Sequence, residues 1–345
     1  MAASSVIDRK RHRVRLVPQE RSVEADSEQS ILEAARSAGI NLPHSCKSGH
    51  CGSCRARLLS GEVSAPALPP LGLSAAEAAS GHVLLCQVRA LSDVVIEARS
   101  VATVSATVIK TLPCRIASLT PLAPDVLRVM LRLPAIEPLD FAPGQYLDVL
   151  LPQGGRRSFS IACPPHHSEL IELHVRRVPG GCFTESLFGS VREGALLRIE
   201  GPLGHFLYHE RPQPALMVAG GTGFAPIKAM LAHLLASGST RPVHLYWGAR
   251  TARDLYEESL VLEWARQHPQ LRFRGVLSHS DSVAREHHRL GWVHECVLAE
   301  HATLEPFDVY VAGPPELIQA VRREFPPRGV APERLQFDSF DYAPR

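Results

Sequence analysis

Apolar and polar positions follow three successive textures along the chain. From His12, the run Arg13-Val-Arg-Leu-Val-Pro alternates with a period of two, and Arg21-Ser-Val-Glu-Ala repeats the alternation over a shorter span. Both predict half-buried strands. Ser27 and Ser30 lead into Ile31-Leu-Glu-Ala-Ala-Arg-Ser-Ala, a capped helix stopped by Gly39. Arg55-Ala-Arg-Leu-Leu-Ser-Gly-Glu-Val resumes extended structure, and Pro66 to Pro70 reads as irregular surface. Ser74 with Glu77 forms a capping box that opens a short helix, and Leu84–Val88 and Val94–Ala98 predict two closing strands. One main helix with short strands on either side predicts a β-grasp unit over residues 10–100.

Residues 101–113, rich in Val, Thr, Ala and Ser, read as a linker. Six strand-like runs follow, beginning at Arg115, Val126, Gln145, Arg157, Ile171 and Leu196, separated by turns rich in Pro and Gly. That pattern predicts an antiparallel β-barrel over residues 108–211, with a short helix near Thr184. From Ala215 the texture changes again. Ala215-Leu-Met-Val-Ala is continuously apolar, and helical periodicity alternates with strands at Val243–Trp247, Leu271–Leu277 and Asp308–Ala312. Strand and helix in alternation predict a doubly wound α/β unit over residues 212–340. The expected whole is a multidomain α+β chain without internal repeat.

Composition narrows the function classes. The chain has 345 residues, 45% hydrophobic and 21% charged, with a formal net charge of +2, so nothing points to nucleic acid or a membrane surface as partner. A basic cluster at Arg9, Lys10, Arg11, Arg13 and Arg15 reads as a solvated arm and first strand. No run approaches the ~18 apolar residues needed to span a bilayer. The first residues carry no apolar core for a signal peptide, so a cytoplasmic protein is expected. Eight cysteines are too few for a disulfide scaffold. Cys114, Cys163, Cys182 and Cys296 stand apart from one another, as buried or incidental thiols do.

The other four cysteines carry chemistry. Cys46-Lys47-Ser48-Gly49-His50-Cys51-Gly52-Ser53-Cys54 has the spacing C-x4-C-x2-C, and Cys86 lies downstream. This spacing holds a 2Fe–2S cluster on four thiolates in a plant-type ferredoxin loop. Gly49 and Gly52 allow backbone angles that turn amide N–H groups toward the sulfurs. A zinc site or a disulfide pair is the competing reading, but tetrahedral zinc sites pair two C-x2-4-C halves, and Cys86 has no near partner. His44 and His50 flank the loop without being needed as ligands. Elsewhere, Gly220-Gly221-Thr222-Gly223 lies between a buried strand and a helix, where a pyrophosphate can approach the backbone; a tight structural turn is the alternative. Arg157-Ser158-Phe159-Ser160 offers a phosphate clamp, a stacking ring and a hydroxyl, or else one solvated strand face. Gly181-Cys182-Phe183-Thr184 sits at a helix start.

In this order, these segments resemble the reductases that join an amino-terminal ferredoxin to a ferredoxin–NADP reductase-like module. That superfamily includes the reductase components of aromatic-ring and phenol oxygenase systems, and the chain also resembles the CDP-6-deoxy-Δ3,4-glucoseen reductases. The resemblance is carried by Cys46 to Cys86, Leu112-Pro-Cys-Arg, Ala142-Pro-Gly-Gln-Tyr, Arg156-Arg-Ser-Phe-Ser-Ile-Ala, Glu200-Gly-Pro-Leu-Gly, Gly220-Gly-Thr-Gly-Phe-Ala-Pro-Ile-Lys, Tyr246-Trp-Gly-Ala-Arg and Phe337-Asp-Ser-Phe. It implies a cluster on Cys46, Cys51, Cys54 and Cys86. It implies FAD held by Arg157, Ser158, Phe159 and Ser160, with His174, Val175, Arg176, Gly181, Cys182 and Thr184 contributing. The dinucleotide would meet Gly221, Thr222, Gly223, Gly248, Arg250, Gly313 and Pro314. Ser160, Ala312 and Phe340 would border the hydride path.

Two positions depart from the family pattern: Phe159 replaces a usual Tyr, and Ala312 replaces a usual Cys. The second predicts slower hydride transfer. The implied flow runs from NADH to FAD, to the 2Fe–2S cluster, and out to a protein acceptor, either a dehydratase of deoxysugar synthesis or an oxygenase component. NADH is expected over NADPH because Arg250 and Arg253 are the only cations after the second strand of the last unit, while Asp254 and Glu257 disfavour a 2′-phosphate. A stand-alone diaphorase or flavin reductase with a redox-sensing cluster, and a non-catalytic ferredoxin docking module, are the competing classes.

Overall fold

The computed structural model describes residues 11–40, 42–66, 69–98, 108–167, 170–279 and 285–340. Arg9 and Lys10 of the basic cluster lie outside them, as do 101–107 of the expected linker. The chain divides into two compact units, Met1–Val104 and Ser105–Arg345.

The first unit contains β1 (Arg11–Val17), β2 (Arg21–Asp26), α1 (Ile31–Ser37), β3 (Arg55–Ser60), α2 (Ala75–Ala79), β4 (His82–Leu84) and β5 (Val94–Glu97). Alternation along β1 turns Val14 and Leu16 inward and its arginines outward. The sheet order is β2-β1-β5-β3-β4, with β1 and β5 parallel and the other pairs antiparallel. This is the expected β-grasp. Ser30 caps α1 in a reciprocal box with Glu33, and Ile31, Leu32, Ala34 and Ala35 face the core. Burying an aliphatic side chain of this kind stabilises by about 1.5–3 kcal/mol. The predicted strand Leu84–Val88 ends at Leu84. There the Gln87 and Val88 amides both donate to the Leu84 carbonyl, at 2.8 and 3.2 Å, and the resulting turn carries Cys86.

The second unit begins with an antiparallel sheet of β6 (Lys110–Ala123), β7 (Val126–Arg132), β8 (Tyr146–Leu150), β9 (Arg156–Ser160), β10 (Leu170–Arg176) and β11 (Leu196–Leu203), with α3 at Cys182–Gly189. Its order is β10-β7-β6-β11-β8-β9. The end strands meet through an antiparallel bridge between Ile161 and Leu173, which closes the barrel. The expected linker reached too far, because Lys110–Pro113 already belong to β6, where Leu112 and Cys114 alternate inward.

A parallel sheet follows, with β12 (Ala215–Gly220), α4 (Phe224–Ala236), β13 (Val243–Ala249), α5 (Glu258–Gln267), β14 (Leu271–Leu277), β15 (His288–Leu290), α6 (Val293–Glu300), β16 (Asp308–Gly313), α7 (Pro315–Glu324) and β17 (Leu335–Ser339). The order β15-β14-β13-β12-β16-β17 reverses direction between β12 and β16. One face packs against α4 and α5 around Phe224, Trp247 and Tyr310; the other packs against α6 and α7 around Val309, Val311 and Ile318. Two edge strands, β15 and β17, escaped the sequence pattern. Two of the three residues of β15 are exposed, and the first three of β17 are half-buried, so neither shows clean alternation.

Candidate functional site

The cysteine loop gathers its sulfurs before any metal is considered. Gly49 and Gly52 take left-handed φ values of 84° and 74°, and the Cys51 amide donates to Cys46 Sγ at 3.3 Å, the Ser53 amide to Cys51 Sγ at 3.4 Å. Cys54 Sγ lies 3.2 Å from Cys86 Sγ, and Gln87 Nε2 points at Cys86 Sγ from 3.5 Å. A Cβ on Gly72 would meet the Gly52 nitrogen at 2.6 Å, so only glycine lets this segment close over the loop. All four cysteines are free thiols. Hydrogen bonding from Cys51 holds Cys46 well below the usual thiol value, while that bond and burial push Cys51 up. Four convergent sulfurs with inward amides fit an iron–sulfur cluster. His44 Nδ1 lies 2.8 Å from the Leu42 carbonyl and His50 Nδ1 3.3 Å from Ser48 Oγ, so each ring has a partner of its own.

Strand alternation splits the Arg157–Ser160 run between two faces. Ser158 donates to Asp148 Oδ1 at 2.6 Å, and buried Ser160 donates to Asp338 Oδ2 at 3.1 Å. Arg157 and Phe159 project the other way, with the Phe159 ring 5.7 Å from that of Phe183 on α3. Arg156, Arg176 and Arg177 each pair with a carboxylate, whereas Arg157 forms no ion pair among the described residues and donates only to the Arg156 carbonyl, at 2.8 Å. A guanidinium without a protein anion fits a phosphate-bearing cofactor. Gly181 precedes α3 as its cap residue, Cys182 is exposed at its first turn, and the Thr184 hydroxyl accepts from the Val178 amide at 3.1 Å. Val175 is sealed in the barrel core.

The turn after β12 lies at the point where the parallel sheet reverses order, and ligands of such sheets bind outside the strand ends there. A Cβ on Gly223 would fall 2.0 Å from the Ala312 carbonyl oxygen, so glycine alone lets α4 start against β16. No side chain caps the start of α4 and its first turn carries no acid, so no anion of the chain's own competes for the preceding Gly221–Gly223 turn. Gly313 and Pro314 follow on β16, and the Phe340 amide donates to the Gly313 carbonyl at 2.9 Å. Ala312 is fully buried. Gly248 packs tightly on α6, where a Cβ would meet Val293 Cβ at 2.8 Å, and the Arg250 carbonyl accepts from the His279 amide at 3.0 Å.

His174 is occupied elsewhere. It belongs to a buried cluster that joins β7 and β10 of the barrel to α4 and the start of α5. Lys228 Nζ lies 2.7 Å from Glu172 Oε1 and 3.0 Å from Glu257 Oε2. Arg128 reaches Glu172 at 2.9 Å and also pairs with Glu257. Burial raises the Glu172 carboxyl, but the His174 hydrogen bond and the Lys228 charge outweigh it and hold it at about 2. Burial lowers His174, which leaves a neutral ring. Its Nε2–H donates to Glu172 and its Nδ1 accepts from the Tyr256 hydroxyl, both at 3.0 Å. Glu257 is therefore a neutralised structural charge, and its expected repulsion of a 2′-phosphate does not operate. Asp254 is likewise engaged, accepting from the Thr251 amide and hydroxyl at 2.9 Å.

A second ligand-like group, Glu258 with His287 and His288, is also an ion cluster. The Arg285 amide donates to His288 Nδ1 at 3.1 Å, so Nε2 carries the proton and donates to Glu258. A ring in that tautomer has no lone pair left for a metal.

Three domain families match in sequence: the 2Fe-2S iron-sulfur cluster binding domain over residues 14–91, the oxidoreductase FAD-binding domain over 113–208, and the oxidoreductase NAD-binding domain over 217–323. The CDP-6-deoxy-L-threo-D-glycero-4-hexulose-3-dehydrase reductase of Yersinia pestis is 37% identical, across 92% of this chain and 94% of its own. The chain belongs to the ferredoxin-type FAD/NAD electron-transfer reductases. Reductase component 1 of the terephthalate 1,2-dioxygenase of Comamonas sp. is 36% identical over 92% of this chain and 93% of its own. The solved Amycolatopsis cytochrome P450 reductase GcoB superposes with a TM-score of 0.78 at 34% identity, covering 95% of this chain and 98% of the other. The reductase therefore has binding domains for FAD, NAD and a 2Fe–2S cluster, and no helix among its described residues is long and apolar enough to cross a membrane.

Sequence reasoning missed two groups in this reductase. Asp338 sat unremarked inside Phe337-Asp-Ser-Phe, although a carboxylate between two aromatic residues near a strand end was its signal. Lys228 closes the segment Gly220-Gly-Thr-Gly-Phe-Ala-Pro-Ile-Lys with no role of its own in the sequence. A lysine on a helix buried nearly all round demands a buried anion, and Glu172 and Glu257 supply it.

Proposed function

We propose that the reductase takes electrons as a pair from NADH and delivers them singly, through its 2Fe–2S cluster, to a protein acceptor. The acceptor is a dehydratase of deoxysugar synthesis or an oxygenase component, the classes served by the relatives. Cytoplasmic residence accords with an NADH supply and with free thiols. The working modules are residues 10–100 for the cluster, 108–211 for FAD and 212–340 for the nucleotide. The observation that carries this is the Ser160–Asp338 hydrogen bond of 3.1 Å, because it joins the flavin-type strand of the barrel to β17, the edge strand of the nucleotide sheet next to β16.

Bound FAD supplies the chemistry that converts a hydride pair into single electrons. The chain's own residues prepare the site. Arg157 clamps a phosphate, Phe159 offers a stacking surface, and Ser160 presents a hydroxyl whose proton Asp338 holds at Oδ2. Arg176, tied to Asp125 at 2.9 Å, and the turn before α3 line the cofactor's remaining edges. Gly221, Thr222 and Gly223 offer backbone amides to the dinucleotide pyrophosphate. Gly248, Arg250, Gly313 and Pro314 border the ribose and nicotinamide, and Phe340 covers the face that nicotinamide must reach. Cys46, Cys51, Cys54 and Cys86 hold the cluster as thiolates. NADH is preferred because cations for a 2′-phosphate are scarce in the sequence directly after β13, where Arg250 and Arg253 are the Lys/Arg residues present.

The test is Asp338→Asn in the purified holoenzyme. Single-turnover flavin reduction by NADH is expected to slow at least tenfold with flavin content unchanged. An unaltered rate would remove Asp338 from the site. Steady-state rates with each nucleotide test the preference, and faster turnover with NADPH contradicts it.

A further inference from the structure

We propose that Trp247 is a positioning residue for the nucleotide turn, setting the direction of the Thr222 amide through a hydrogen bond to Gly221. This rests on the reading that the turn binds pyrophosphate, and it identifies what holds the turn ready. Trp247 is fully buried on β13, and its indole N–H donates to the Gly221 carbonyl at 2.9 Å. A buried indole N–H requires an acceptor, and this one chooses a residue with a φ of 55°, a conformation natural to glycine. The Gly221 carbonyl and the Thr222 N–H belong to one planar trans peptide and point in opposite directions. Drawing the carbonyl back toward the indole turns the Thr222 N–H away from it.

The same indole also fixes where α4 begins. It stacks on Phe224, the first residue of α4, with ring centroids 3.9 Å apart and planes within 11°. The Phe224 amide is a second donor to the Gly221 carbonyl. Tyr256 meets the indole edge-on at 5.1 Å and passes its own hydroxyl proton toward His174 on the barrel. Trp247 thus braces the turn and the helix start, Tyr256 carries the contact on to the barrel, and the fully buried indole has no face open to a ligand.

Trp247→Phe keeps an aromatic ring against Phe224 and deletes the donor together with part of the buried ring system. The Gly221 carbonyl keeps one of its two donors, so the expected loss is that of a single hydrogen bond, about five- to tenfold in KM for NADH with kcat unchanged. The control electron donor is 1-benzyl-1,4-dihydronicotinamide, which has a nicotinamide ring and no phosphate. Its rate of flavin reduction should be the same in variant and wild type. General damage would slow both donors equally, and that result, or an unchanged KM for NADH, overturns the proposal. Replacing Thr222 by its α-hydroxy acid analogue, which turns the peptide N–H into an ester oxygen, separates the two layers of the reasoning. If it raises the KM while Trp247→Phe does not, the turn binds pyrophosphate without help from Trp247. If neither variant moves the KM, the pyrophosphate reading itself fails and the proposal falls with it. Should Trp247→Phe not fold, the benzothiophene analogue of tryptophan at position 247 removes the N–H at constant shape, with the same outcomes expected.

Discussion

Replacing Lys228 by methionine removes one of two cations from a buried cluster of four charges, and the geometry sets the scale of the effect. The ammonium lies 2.7 Å from Glu172 and 3.0 Å from Glu257, whose side chains are 12% and 5% exposed. Methionine fills most of the volume but leaves both carboxylates to share Arg128. Breaking a buried pair by removing one partner costs about 3–5 kcal/mol. Arg128 stays in place and is 33% exposed, so some solvent reaches the orphaned charges and the loss should be near the lower bound, about 3 kcal/mol. For a unit of this size that corresponds to a fall in Tm of roughly 6–12 °C. Scanning calorimetry of the FAD-loaded protein, read at the transition that releases flavin fluorescence, measures it. Adding Glu257→Gln removes the orphaned charge and should recover at least half of the loss, giving a coupling above about 1 kcal/mol in a double-mutant cycle. A single-variant loss below about 1 kcal/mol, or strictly additive losses, would refute a buried clamp between barrel and nucleotide domain.

Acid should act on the same cluster. His174 has a folded pKa below its ordinary value, so protons favour the unfolded chain once pH falls below about 6.5. Glu172, held at about 2 when folded, contributes stability that is full above its unfolded value and lost as pH drops from about 4.5 toward 2, in total about 3 kcal/mol. Calorimetry against pH should show the Tm of the second unit declining through both windows, and a flat profile down to pH 4 would contradict the neutral His174. Ala312→Cys should raise the single-turnover rate of flavin reduction by NADH; equal rates would dismiss the idea that the missing thiol slows the step. Phe159→Tyr should retain FAD more tightly on dilution, by roughly one hydrogen bond, about 1 kcal/mol, and unchanged release contradicts a ring placed against the flavin.

How much of this was legible in the sequence depended on whether the governing interaction was local. The cysteine loop was legible because three of the four sulfurs and two glycines lie in a short stretch, and the capping box Ser74–Glu77 because it spans only one helical turn. Strands β6 and β7 alternate because one face of each is buried in a single core. Edge strands β15 and β17 were not legible, since an edge half-exposed on both faces has no period to read. The turn at Leu85–Val88 was hidden too, because its Val and Leu content matches a strand while cluster geometry demands a bend. Long-range pairs were the deepest gap. Ser160 meets Asp338 across 178 positions and Arg128 meets Glu257 across 129, and nothing in either neighbourhood names its partner. Glu257 shows the cost of reading charge without burial, because in sequence it repelled a phosphate and in the fold it is neutralised by Lys228 and Arg128.

Anaerobic addition of NADH to the purified holoprotein, followed by flavin absorbance and by the paramagnetic signal of the reduced cluster, tests the electron path most directly. The flavin band should bleach and the cluster signal should then appear. In Cys51→Ser, the flavin should still bleach while no cluster signal forms and electron delivery to a one-electron acceptor protein falls away. A cluster that stays oxidised in the wild type while the flavin is reduced, or acceptor reduction that survives Cys51→Ser undiminished, would contradict electron flow from NADH through FAD to Cys46, Cys51, Cys54 and Cys86.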